Sequence, residues 1–158
     1  MKLNTIEPNG LGGWLACIGI GLIISQIYLL NNLTDSLSFF STVEWDTLTT
    51  PGTESYNPLF VPLAIFEFST NLGFIVLGFW VLTLFARESA NFPKLYIWYM
   101  VVSLIIYVSD IWFVSFVLPS MKTFNPTTTA ELSMNLIKIG IWVPYILLSK
   151  RVRNTFVN

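Results

Sequence analysis

Residues 95–118 read LYIWYMVVSLIIYVSDIWFVSFVL, 24 positions with a single carboxylate, Asp110, set among Ile, Val, Trp and Phe. A run this long and apolar has one economical solution, a helix across a bilayer, because about 20 residues rising 1.5 Å each cross the hydrocarbon core. A carboxylate at that depth costs on the order of 3 kcal/mol unless it is paired, solvated or protonated. Something elsewhere in the chain must therefore answer Asp110.

Hydropathy places three further runs at about 11–30, 63–85 and 130–148, so the 158 residues form a single four-span domain, 1–158. Only 11% of the residues are charged and the mean hydropathy is +0.67, whereas soluble domains carry roughly 25% charge. The expected fold is all-α, an integral membrane four-helix bundle. The first run is as long as a full span and leaves through Asn31-Asn32-Leu33, not a small-x-small cleavage site, so it is expected to stay as an anchor.

Charge sets the expected orientation. Lys2, Arg87, Lys94, Lys150, Arg151 and Arg153 fall on one side of such a layout and Lys122 alone on the other. The positive-inside rule then makes both termini cytoplasmic. It also makes 31–62 an external loop, which carries Asp35, Glu44, Asp46 and Glu54 with no Lys or Arg. Within that loop Leu33, Leu37, Phe40, Val43 and Leu48 recur near helical spacing, which predicts a short amphipathic helix at the membrane interface before the Pro51-Gly52 turn. Residues 120–129 read as a Thr-rich turn.

Periodicity then groups the polar residues of the spans. Glu131, Asn135, Lys138, Trp142 and Tyr145 follow one another at spacings of four, three, four and three, one stripe of the fourth helix. Ser103, Tyr107 and Asp110 share a face of the third, and Glu67 and Asn71 a face of the second. Counted from the span ends at 1.5 Å per residue, Asp110 and Lys138 both lie about 12 Å deep. They are expected to pair within a cluster of Glu67, Asn71, Tyr107, Asp110, Asn135 and Lys138. The first run is interrupted only by glycines, Ser25 and Gln26. Its Gly13, Cys17, Gly21 and Ser25, four residues apart, form a stripe of small side chains expected to pack against other helices of the chain, with a dimer seam as the alternative.

Catalysis finds little support. Histidine is absent, which removes Ser–His and Cys–His nucleophiles and the usual zinc sites; Cys17 stands alone, so no intramolecular disulfide forms. One intramembrane aspartate does not make an aspartyl protease. No enzyme activity, metal or cofactor is expected. Net charge is −1 with no basic surface, which argues against nucleic acid.

Gly10-Leu11-Gly12-Gly13-Trp14-Leu15 opens the first span, and Trp142-Val143-Pro144-Tyr145 leads to Ser149-Lys150-Arg151-Val152-Arg153-Asn154-Thr155-Phe156 at the other end. Together these resemble the bacterial inner-membrane family of domain of unknown function 2569. The resemblance implies a four-helix membrane protein of the bacterial cytoplasmic membrane with no assigned catalytic residues. It singles out Gly12, Gly13, Trp14, Pro144, Tyr145 and the Lys150-Arg151-Val152-Arg153 tail. The cations of that tail, Lys150, Arg151 and Arg153, are expected to face anionic lipid.

The expected partners are the lipid bilayer and another membrane protein or a second copy of the chain. The leading function is a small non-enzymatic accessory protein in which the polar cluster is structural. The alternative is a small transporter or sensor that uses Glu67, Asp110 and Lys138 as a proton or solute site.

Overall fold

The computed structural model describes residues 10–118 and 125–157; Lys2, Glu7, Pro119 and Lys122 lie outside them. Four long helices dominate: α1 (Trp14–Phe39), α3 (Phe60–Ala86), α4 (Phe92–Val117) and α5 (Pro126–Leu148), with short α2 (Val43–Thr49) and α6 (Lys150–Thr155). Each long helix is apolar and long enough to cross a membrane. The chain is a multi-pass membrane protein.

Two boundaries differ from the hydropathy reading. The first helix does not stop near residue 30 but continues to Phe39, so Leu33 and Leu37 belong to α1 and not to a separate interfacial helix. In its last turns Thr34, Ser36 and Ser38 donate their hydroxyls to the carbonyls of Leu30, Asn32 and Thr34, at 3.0, 2.8 and 3.0 Å. Those polar side chains are thereby satisfied without leaving the helix. At 26 residues α1 is about 39 Å long, so its last turns overrun a hydrocarbon core of roughly 30 Å.

The fourth helix starts at Pro126, four residues before the expected span. Asn125 caps it by accepting from the backbone N–H of Thr128 (2.9 Å), and Pro126 suits the first turn, where no donor is needed. Thr127, Thr128 and Thr129 are therefore helix, not turn.

The short helix expected in the first loop is present as α2, capped by Thr42. It does not lie free. Trp45 and Leu48 pack with Phe39 on a small core of Phe60, Leu63 and Val117 at the far end of the bundle, away from the termini.

The long helices pack in a row, α1 on α3, α3 on α4 and α4 on α5. The main core lies at the end that bears the termini, where Leu15, Ile18, Val81, Phe85, Phe92 and Ile146 are buried. Ser149 caps α6 and turns it so that Val152, Thr155 and Phe156 enter this core; the Phe156 ring stacks on Phe92 at 4.5 Å. The termini are tied together there. Thr155 donates to the Gly10 carbonyl (3.4 Å), and Trp14 meets Trp142 edge-on at 6.1 Å. Beyond that end α1 and α5 diverge, and the space between them is the site.

Candidate functional site

A cavity of about 700 Å³ runs between α1, α3, α4 and α5. All six residues of the expected polar cluster line it: Glu67, Asn71, Tyr107, Asp110, Asn135 and Lys138. Helical periodicity brings them there because a polar side chain in an apolar helix has no satisfactory place except away from lipid.

The residues differ in what they do. Tyr107 donates to a carboxylate oxygen of Glu131 at 2.8 Å and joins α4 to the first turns of α5. Asn71, with its amide oriented to suit its neighbours, donates to the Leu29 carbonyl (3.3 Å) and accepts from the Leu33 N–H (3.2 Å), which ties α3 to α1. Asp110 is the exception: its Oδ1 is buried and has no hydrogen-bond partner.

The expected pair of Asp110 with Lys138 does not form; among the described residues no ion pair joins them. The reason is register. Tyr107 and Glu131 mark where α4 and α5 face each other. From that point Asp110 lies three residues towards the far end and Lys138 seven towards the termini, a separation of about 15 Å along the bundle. Starting the fourth span four residues late hides only about 6 Å of this; the rest arises because the far ends of α4 and α5 are not level.

The carboxylates therefore gather at one end of the cavity. Asp35 lies four residues before the end of α1, Asp110 seven before the end of α4, and Glu67 seven after the start of α3. Glu67 and Asp110 both line that end of the cavity. Lys138 stands deeper, twelve residues into α5. Tyr28, Phe74, Tyr99 and Trp142 supply aromatic walls.

The small-residue stripe is also part of the wall. Cys17, Gly21 and Ser25 line the cavity, and a Cβ on Gly21 would meet nothing within 4 Å. The expectation that Gly13, Cys17, Gly21 and Ser25 form one helix-packing seam is corrected at Gly21, which faces open space; Gly13 does meet another helix, at Arg151 of α6, and α1 turns its tight face to α3 through neighbouring positions. There Gly19 admits the Phe85 ring, 2.7 Å from where its Cβ would stand, and Gly78 admits the Gln26 side chain. Gln26 is 3% exposed, donates to the Tyr99 hydroxyl (3.4 Å) and leaves its Oε1 without a partner. A lone amide in an otherwise apolar span was the sequence signal for it, since it must find a partner inside the bundle.

The ends of the chain also meet. The Arg151 guanidinium lies over Gly12 and Gly13, whereas Lys150 and Arg153 are exposed. A family model described as protein of unknown function (DUF2569) matches residues 8–157. The chain belongs to this family. Both stretches that carry the resemblance lie within the match, and in this DUF2569 chain they are in contact. No curated protein and no solved structure matches it.

Proposed function

We propose that this membrane protein binds a small organic cation in the cavity, without catalysing a reaction on it. The observation that carries the reading is Asp110, a residue lining a 700 Å³ space whose carboxylate has one oxygen, Oδ1, buried and unpartnered. That volume falls in the ordinary small-molecule range, roughly 300–1,000 Å³. A carboxylate held in an apolar wall with an oxygen lacking a donor is expensive, and an ammonium group brought to its cavity side by a solute would offset the charge.

Charge and shape support the same class. Asp35, Glu67 and Asp110 outnumber the one amine, Lys138, on the lining. Phe74, Tyr99 and Tyr107 put aromatic side chains on the lining, and a cation over such a ring gains about 2 kcal/mol when desolvated. Lys138 at depth repels a cation that moves further, and the core beyond it is packed, so holding is favoured over conduction. With the termini cytoplasmic, as the cation bias of the sequence implies, the acidic end faces outside a bacterial inner membrane.

The rival role, an accessory subunit whose polar cluster merely fixes the bundle, drew its support from a closed Asp110–Lys138 pair. Without that pair it keeps only the interhelical hydrogen bonds of Asn71 and Tyr107. The test uses purified protein in nanodiscs, titrated with 2-phenylethylamine and with its neutral analogue 2-phenylethanol while Trp fluorescence is read. The amine should bind and the alcohol should not, and Asp110→Asn should remove most of the amine response. Equal responses to both, or none to either, return the weight to the accessory role.

A further inference from the structure

A second concave site lies on the terminal end of the bundle and shares no residue with the cavity. It is a groove of about 460 Å³ between the first turns of α4 and the α5–α6 junction, lined by Lys94, Ile97, Trp98, Leu147, Arg153 and Phe156 among others. We infer that this groove binds one anionic phospholipid, its phosphate between Lys94 and Arg153 and its acyl chains along Ile97, Trp98 and Leu147.

The argument begins with the two cations. Lys94 comes from the start of α4 and Arg153 from α6, and the Ser149 turn is what brings them to one groove. Among the described residues neither has an ion-pair partner, although both are exposed. Two cations on the rim of one groove make a local positive excess that favours an anion there. Arg151 does not contribute, since it is turned onto Gly12 and Gly13.

The floor of the groove says which anion. Below the cations the surface is apolar, and it is open: Trp98 is 58% exposed and Leu147 61% exposed. Trp98 stands six residues into α4, about 9 Å from its start, the level at which indoles sit at a membrane boundary. A cationic rim above an apolar channel matches a phosphodiester head joined to acyl chains, and basic pockets between helices bind anionic lipid in this way. A soluble phosphate compound would leave the apolar floor unused.

The experiment follows the thermal unfolding of detergent-purified protein by Trp fluorescence, with phosphatidylglycerol, phosphatidylcholine or glycerol 3-phosphate added. Phosphatidylglycerol should raise the midpoint and the other two should not. In the Lys94→Gln/Arg153→Gln double variant its affinity should fall roughly thirty-fold, the loss expected for two cations at an anionic surface. Lys150→Gln, outside the groove, should retain the effect. Equal stabilisation by phosphatidylcholine or glycerol 3-phosphate, or an equal loss in Lys150→Gln, overturns the inference. Should the double variant fail to fold, a photoactivatable phosphatidylglycerol on the unaltered protein decides. Cross-links at 94–98 or 147–153 support the groove, and cross-links confined elsewhere overturn it.

Discussion

The Arg151 guanidinium rests on Gly13, so close that a Cβ on that glycine would stand 2.6 Å from Nη1. Gly13 also has φ +63 with ψ −134, a backbone conformation almost confined to glycine that costs a residue with a Cβ on the order of 1–3 kcal/mol. One glycine thus starts α1 and seats the arginine of the last helix. The start of α1 and the last helix, α6, are joined at this point.

Gly13→Ala should therefore destabilise the protein by about 1–3 kcal/mol or more, from backbone strain and displacement of Arg151 together. Gly12→Ala is the control. Its Cβ would lie 3.4 Å from the same nitrogen at an unstrained φ, and it should cost much less. Thermal unfolding in one detergent compares the two directly.

The spans were legible because hydropathy adds up residue by residue: 95–118 was read where α4 runs Phe92–Val117. The six polar residues were legible as a group because helical spacing fixes which face a side chain takes. What spacing cannot fix is the register between helices. That depends on where each helix begins, and the start of α5 rests on the single side chain of Asn125. Gly21 and Gly19 illustrate a second limit. Both are small residues on one helix, and only the neighbour opposite makes Gly19 tight and leaves Gly21 open. Gln26 was visible as an interruption, but its seat on Gly78 is a meeting of two helices that no single run contains.

Gly78 and Gly21 should accordingly respond in opposite ways. An added Cβ at Gly78 displaces the Gln26 amide, breaks its bond to Tyr99 and leaves a buried polar group unsatisfied, at a cost of about 1–3 kcal/mol. Gln26→Ala in the same chain should recover part of that loss by vacating the space. Gly21→Ala should stay within about 0.5 kcal/mol of the parent, as substitutions into open space do. Chemical or thermal denaturation of the four proteins measures all of these, and a large loss in Gly21→Ala would restore the packing-seam reading.

Orientation is checked by thiol labelling on a Cys17→Ala background. Six cations on the terminal side of the layout against Lys122 motivate the expectation. New cysteines at positions 47–53 should react with an impermeant reagent added to spheroplasts. Cysteines after Lys150 should react only once the membrane is opened. The reverse pattern would turn the acidic end of the cavity towards the cytoplasm and change which solutes can reach it.

The separation of Asp110 from Lys138 makes a last prediction, a thermodynamic one. A buried ion pair would show strong coupling: each single loss would be large and the double variant would recover most of it. Here the two lie about 15 Å apart along the bundle and share no partner, so their effects should add within about 0.3–0.5 kcal/mol. Asp110→Asn should be mild, or even stabilising, because an amide replaces a carboxylate whose Oδ1 already lacks a donor. Lys138→Met should also be mild, because the side chain is exposed along the cavity wall. Denaturation of the parent, the two singles and the double closes the cycle. A coupling above about 1 kcal/mol would mean that the pair forms in the membrane after all. It would also return the cluster to a structural role, because the unpartnered carboxylate that recommends a ligand would then have its partner within the chain.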